Sequence, residues 1–177
     1  QIARVLVEDY GLVPGNRVLL RSGNNPMLVA CWLAVLKAGG ICVATMPLLR
    51  KTELSFILDH VAVRFALCDL GLAEELEQAR DSSETLERIA CFTALGTSPS
   101  AEADLEIAAA KKPADFRNIQ PAADDIALIT FTSGTTGRPK AAAHFHRDIL
   151  AICECWPRIF PIDPNEVISG SPSMAFT

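Results

Sequence analysis

The chain has 177 residues, half of them hydrophobic, with 21 acidic against 16 basic side chains and a formal net charge of −5. That length and apolar share suit one soluble globular unit with a sizeable core. The acidic balance, without any Lys/Arg cluster, argues against a nucleic-acid surface, which needs a basic face. The acidic excess gathers between Asp69 and Glu87 and reads as a solvated helix face.

Taken in chain order, helix and strand signals alternate. Ile2, Val5 and Leu6 mark an amphipathic opening helix with no initiating Met, so the chain is expected to begin mid-domain. A strand over 17–21 precedes a helix over 26–38, with Asn25 as N-cap, Pro26 in the first turn and Gly39 just past the end. The apolar stretch 27–36 inside it is too short to span a bilayer, and no signal-peptide or lipidation pattern is present. A strand over 41–44 follows, then a helix over 52–60 with Thr52 as N-cap, a strand over 64–68, a helix over 72–80 and a strand over 88–93. Units of this length imply a parallel sheet with helices on both faces. Residues 96–121 break the rhythm with Pro99, Pro113 and Pro121 around a short Ala/Glu-rich helix, and read as a linker within the domain. A buried strand over 126–131, a polar loop, a short strand over 141–145, a helix over 146–156 and a strand over 166–169 complete the pattern.

The six cysteines (Cys31, Cys42, Cys68, Cys91, Cys153, Cys155) lack Cys-x-x-Cys spacing and sit mostly in apolar runs, where a thiol packs as a small hydrophobe. Reduced thiols favour a cytoplasmic location. His144 and His146 share a strand face, but no third ligand is suggested nearby, so no metal site is expected.

The most informative stretch is Thr132-Ser133-Gly134-Thr135-Thr136-Gly137-Arg138-Pro139-Lys140. A strand that ends in small hydroxyls, glycines and one cation is suited to holding phosphate. Gly134 and Gly137 let backbone amides approach an anion closely, the hydroxyls donate, and Lys140 supplies a positive point charge. The Walker A loop fails at two positions, because Pro139 stands in place of the glycine before the lysine and Ala141 in place of the hydroxyl after it. Pro139 also biases Arg138 away from the α region, so the loop should lead into a second strand forming a hairpin rather than into a helix.

The loop resembles the signature of the adenylate-forming superfamily (acyl-CoA ligases, luciferases and peptide-synthetase adenylation domains), (Ser/Thr)-Ser-Gly-(Ser/Thr)-Thr-Gly-x-Pro-Lys, at every fixed position. Ala141 departs from the glycine that commonly follows. His146 stands at the family's histidine spacing, Leu36-Lys37-Ala38-Gly39-Gly40 resembles an upstream family motif, and residues 170–177 resemble the start of the one that carries an aromatic or histidine into the acyl pocket. The segment 42–50 lacks the Val-Pro-Leu-Asp ending of peptide-synthetase domains and, with Ser171 to Thr177, looks like the branch of benzoate-CoA and 2-aminobenzoate-CoA ligases.

The resemblance implies an α/β fold with a parallel, mixed-edge sheet flanked by helices, forming a truncated portion of an N-terminal AMP-binding domain across residues 1–177, with the C-terminal domain absent. It implies a two-step reaction in which a carboxylic acid attacks the α-phosphate of ATP, releasing pyrophosphate, and coenzyme A then takes the acyl group. By the same resemblance Thr132, Ser133, Gly134, Thr135, Thr136, Gly137 and Lys140 bind ATP, Lys140 acts in catalysis, and Phe176 and His146 belong to the substrate pocket. The Mg²⁺ ligand of the family lies beyond this chain, so the remainder of a parent protein is an expected partner and the isolated chain is expected to be inactive. Three other readings stand beside this one: a non-catalytic nucleotide-binding module, an interaction piece with a vestigial loop, and an adenylation domain for another acid.

Overall fold

A computed structural model describes residues 1–94, 100–132, 139–160, 163, 165–167, 170 and 172–175. The opening helix α1 (Ile2–Arg4) continues over Val5–Asp9 in a wider winding, in which the Tyr10 N–H bonds the Val5 carbonyl at 3.1 Å. Then come β1 (Arg17–Arg21), α2 (Pro26–Lys37), β2 (Ile41–Thr45), α3 (Lys51–His60), β3 (Phe65–Asp69), α4 (Ala73–Arg80, entered by a short 3₁₀ turn) and β4 (Arg88–Phe92). The remaining elements are α5 (Asp104–Ala110), β5 (Ile126–Thr132), β6 (Lys140–Phe145) and α6 (His146–Ile159). They build one six-stranded sheet in the order β4-β3-β1-β2-β5-β6, parallel from β4 to β5, with β6 antiparallel at the edge.

The period-two alternation of each strand divides the core between the two faces. Val18 and Leu20, with Cys42, Phe65, Leu67 and Leu128, pack against the inner sides of α1, α2 and α5. Leu19, with Val43, Ala66, Cys68 and Ile129, faces α3 and α4 through Leu54, Ile57, Leu58 and Leu76. The central strands are therefore apolar on both sides, which is why they read as continuous hydrophobic runs.

The caps of α2 account for a motif seen in the sequence. The Asn25 side chain accepts from the Leu28 N–H at 2.9 Å, and Pro26 occupies the first turn. At the other end the Gly39 N–H bonds the Leu36 carbonyl at 3.0 Å and the Gly40 N–H bonds the Val35 carbonyl at 2.9 Å, a Schellman ending. Gly39 has φ +77°, and a Cβ on Gly40 would come within 2.9 Å of a Val35 methyl. Leu-Lys-Ala-Gly-Gly thus stops α2 and leads directly into β2.

Three expectations are corrected. Thr52 does not cap α3: the helix starts at Lys51, the capping backbone is that of Arg50, and the Glu53 carboxylate accepts the Arg50 N–H at 3.1 Å. The short helix in 96–121 is more than a linker, because Leu105 and Ala109 of α5 are buried in the core. Asp104 and Glu106 of the same helix accept the Cys91 and Thr93 N–H groups at 2.7 and 3.0 Å, so carboxylates occupy donors along the edge strand β4. In the strand expected over 166–169, Glu166 and Val167 are not extended in a sheet; the Asp163 N–H bonds Glu166 Oε2 at 3.1 Å and the Glu166 N–H bonds the Asp163 carbonyl at 2.9 Å, a local turn that competes with pairing. The other two residues of that strand lie outside the described set.

Two predictions follow from these contacts. Gly39→Ala should destabilise the chain by about 1–2 kcal/mol in urea unfolding, because it forces an L residue into the left-handed region. In the folded chain a disulfide chromogen should react quickly only with the exposed Cys153 and Cys155. Burial raises the thiols of Cys31, Cys42 and Cys68 far above their ordinary value, and burial followed by Asp104 pushes Cys91 up to about 11. Since the thiolate is the reactive species, Cys91 should label only as the pH is raised toward that value. Fast labelling of more than two thiols at mildly alkaline pH would contradict the packing described.

Candidate active site at the carboxyl end of the sheet

Strands β5 and β6 pair antiparallel with Thr132 opposite Lys140. The two ends of the phosphate-type loop are thereby held side by side at the carboxyl end of β5, the end of a parallel sheet where ligands bind. Ser133, Gly134, Thr135, Thr136 and Gly137, five of the expected ATP-binding residues, lie outside the described residues. Lys140 is exposed at the first position of β6, with its amine free of any ion pair among the described residues.

Beside the hairpin mouth lies a mainly apolar cavity of about 460 Å³. Ala44, Thr45, Met46 and Leu49 form one wall where β2 ends, and Glu53 and Ile57 of α3 close it from the side. Thr130, Phe131 and Thr132 of β5 form the opposite wall, with Pro139 and Ala175 at the rim. Thr130 is buried and, with Thr45, Thr132 and Glu53, is one of four polar residues in a lining that is otherwise apolar. A space with a mainly apolar lining, beside the paired hairpin ends at Thr132 and Lys140, suits a molecule with an apolar body and an anionic head.

Phe176 lies outside the described residues, but its neighbour Ala175 lines the cavity. The segment before it is tied to the loop after β1 by Asn24, whose amide donates to the Pro172 carbonyl at 2.8 Å and whose oxygen accepts the Met174 N–H at 2.9 Å. One carboxamide matches a backbone acceptor and a backbone donor at once. His146 is not brought to this place. Its position starts α6 at the far end of β6, and its N–H bonds the Asp125 carbonyl at 3.1 Å. His146 is six residue steps from Lys140, roughly 20 Å along β6. Among the described residues the cavity has no histidine in its lining.

Sequence reasoning missed the residues that shape the cavity from behind. Arg21, at the end of β1, is 1% exposed and donates to four backbone carbonyls, those of Leu72, Met46, Pro47 and Leu49, at 2.8 to 3.2 Å. Burial lowers its guanidinium from the ordinary value. The only sign in the sequence was a charge at the end of an apolar strand, a place where arginine is commonly solvated. Outside the cavity, the Lys51 N–H and then Arg50 hold the Glu75 carboxyl below its ordinary value, fixing the start of α3 against α4. Among the described residues no group of three or more His, Cys, Asp or Glu side chains is placed to hold a metal ion.

Comparison with known proteins shows the family of the chain. The family model described as AMP-binding enzyme matches residues 1–177. A 3-hydroxybenzoate–CoA/4-hydroxybenzoate–CoA ligase of Thauera aromatica is 31% identical over 172 residues, covering 94% of this chain and 32% of the relative. The chain spans about a third of the length of this relative and of a 3-hydroxybenzoate–CoA ligase of an Aromatoleum species. Among solved structures, ATP-bound MatB of Rhodopseudomonas palustris superposes with a TM-score of 0.83 at 24% identity, covering 98% of this chain and 33% of that one. The anthranilate CoA ligase AuaEII in complex with anthranoyl-AMP gives 0.77 at 22% identity, covering 88% and 28%. At such identity these two likenesses speak to the fold. The chain belongs to the AMP-binding enzyme family, within the adenylate-forming superfamily and with benzoate-type CoA ligases among its relatives.

Proposed function

We propose that this chain is the phosphate-gripping and acyl-seating portion of an ATP-dependent carboxylate–CoA ligase that acts on an aryl acid such as benzoate, 2-aminobenzoate or a hydroxybenzoate. One observation carries the reading: Thr132 and Lys140 face each other at the carboxyl edge of the sheet, directly beside an apolar cavity. The 31% identity to a hydroxybenzoate–CoA ligase supports the choice of aryl acid.

In the first step a carboxylate oxygen of the acid bonds to the α-phosphorus of ATP while the bond to the bridging oxygen of pyrophosphate breaks. The products are acyl-AMP and pyrophosphate. The protein must neutralise charge that grows on the leaving pyrophosphate, and preorganised donors do this without reorganisation cost. Lys140 supplies the cation, and Thr132, Ser133, Thr135 and Thr136, with the amides around Gly134 and Gly137, supply donors. The methyl-lined walls at Met46, Leu49 and Ala175 exclude water from the acyl group, with the Phe176 ring as a further wall. In the second step the coenzyme A sulfur attacks the acyl carbon and AMP leaves with the bonding pair. Magnesium, which offsets phosphate charge when bound, would be held by residues outside those described here. The reading requires a polypeptide that carries this region together with the rest of the length its relatives have, and residues 1–177 alone should not turn over. ATP, coenzyme A and the buried thiols Cys31, Cys42 and Cys68 all suit a cytoplasmic enzyme.

In the full-length protein, Lys140→Ala should slow acid-dependent pyrophosphate release about 100-fold. The KM for the acid should move little, because the lysine meets phosphate and not the acyl group. Unchanged turnover would contradict the role of Lys140. ATP binding that depends on Lys140 without pyrophosphate release from any of a panel of aryl acids would favour a non-catalytic nucleotide-binding module. Robust turnover by the 177-residue chain alone would overturn the requirement for the rest of the protein.

A further inference from the structure

The turn that leaves β2 forms one wall of the cavity, yet little of its own backbone holds it in shape. Met46 and Leu49 present side chains to the cavity, and the turn is closed by a bond from the Leu49 N–H to the Met46 carbonyl at 3.2 Å. The carbonyls of Met46, Pro47 and Leu49 instead converge on one side chain, the guanidinium of Arg21, at 3.1, 3.1 and 2.8 Å. A fourth bond, at 3.2 Å, reaches the Leu72 carbonyl in the segment that leaves β3. No carboxylate is among these four acceptors. A buried cation with no carboxylate bonded to it is a costly way to fill space, and an aliphatic side chain of similar volume would fill it as well. What the guanidinium adds is direction, since its planar fork of donors fixes the angles between the carbonyls it binds. Thr45, the last residue of β2, is tied to the same strand through its hydroxyl and the Leu20 carbonyl at 3.0 Å. The wall is therefore set by the last two residues of a strand that does not itself line the cavity.

We infer that Arg21 is a positioning residue for substrate selection: by holding the carbonyls of Met46, Pro47 and Leu49 in one fan, it fixes the wall against which the acid's organic group is seated. This rests on the proposed function, in which the cavity takes the acid. Arg21 touches no reacting atom; it acts through Met46 and Leu49. Lysine keeps the charge but offers three donors on one atom, and cannot span carbonyls that the fork reaches from three nitrogens.

The test uses the full-length protein with Arg21→Lys, Leu49→Ala and the double variant, following pyrophosphate release with benzoate and with ring-substituted benzoates. Arg21→Lys should raise the KM for the acid about tenfold and narrow the preference between acids, with the KM for ATP within about twofold. Because both substitutions act on one wall, the double variant should show less than the product of the two single effects. Hydrogen exchange at the Leu49 amide should quicken in Arg21→Lys while the amides of β1 and β2 stay protected. Acid and ATP kinetics unchanged in a folded Arg21→Lys would overturn the inference, as would equal rises in both KM values or multiplying effects in the double variant. If Arg21→Lys does not fold, Leu49→Ala still decides: unaltered acid selectivity would mean that the turn is no selecting wall. A wild-type protein that releases no pyrophosphate with any acid overturns the functional reading and this inference together. Wild-type activity with an insensitive Arg21→Lys overturns the inference alone.

Discussion

The site depends on β5 pairing in parallel with β2. The chain leaves β4 at one edge of the sheet, passes through α5, and returns on the far side of β2, where Cys42 meets Leu128 and Val43 meets Ile129. This contact joins segments more than eighty residues apart, so its closure entropy must be offset by burial. Ala127, Leu128 and Ile129 are buried and supply it. Once β5 is seated, its carboxyl end stands next to the end of β2, and the Thr132–Lys140 hairpin mouth and the Met46–Leu49 turn become neighbours. α5 matters for the same reason, because Leu105 and Ala109 hold the return path against the core.

The two faces of the sheet divide the labour. The face covered by α1, α2 and α5 buries aliphatic side chains together with the rings of Phe65 and Phe92, with Asn25 and the Gly39-Gly40 ending setting the length of α2. The face covered by α3 and α4 carries buried polar residues at the strand ends, Arg21 and Thr45, because period-two alternation puts them on the side of Leu19 and Val43. One strand thus contributes a plain core residue to one layer and a carbonyl-binding cation to the other. The edge of the sheet differs again: β6 carries three consecutive alanines, Ala141 to Ala143, and α6 with the residue after it leaves Leu150, Ile152, Trp156, Ile159 and Phe160 exposed.

Much of the fold was legible because the signals were local. The strand at 17–21, the Asn25 cap, the glycine ending of α2 and the hairpin after Pro139 each follow from a few adjacent residues. The misses have local causes too. Thr52 is a good capping type, but Glu53 binding back to the Arg50 N–H starts α3 two residues earlier than the residue after Thr52. The expected strand at 166–169 lost Glu166 to its exchange with Asp163. The site divides in the same way. Thr132 and Lys140 were visible in a short motif, whereas Met46, Leu49 and Arg21 are brought together only by contacts between segments distant in sequence. His146 kept the family's spacing, yet the antiparallel strand of the expected hairpin carries it to the far end of β6 from Lys140.

The central claim is spatial: phosphate at the mouth of the β5–β6 hairpin, and the acid's organic group in the cavity between the ends of β2 and β5. A crystal structure of the full-length protein bound to an acyl-sulfamate analogue of an aryl adenylate tests it most directly. The account predicts the aryl ring against Met46, Leu49 and Ala175, with the sulfamate facing the loop that ends at Lys140. An analogue seated elsewhere, for example in the apolar groove between Trp32 and His144 on the other side of β5, would contradict it.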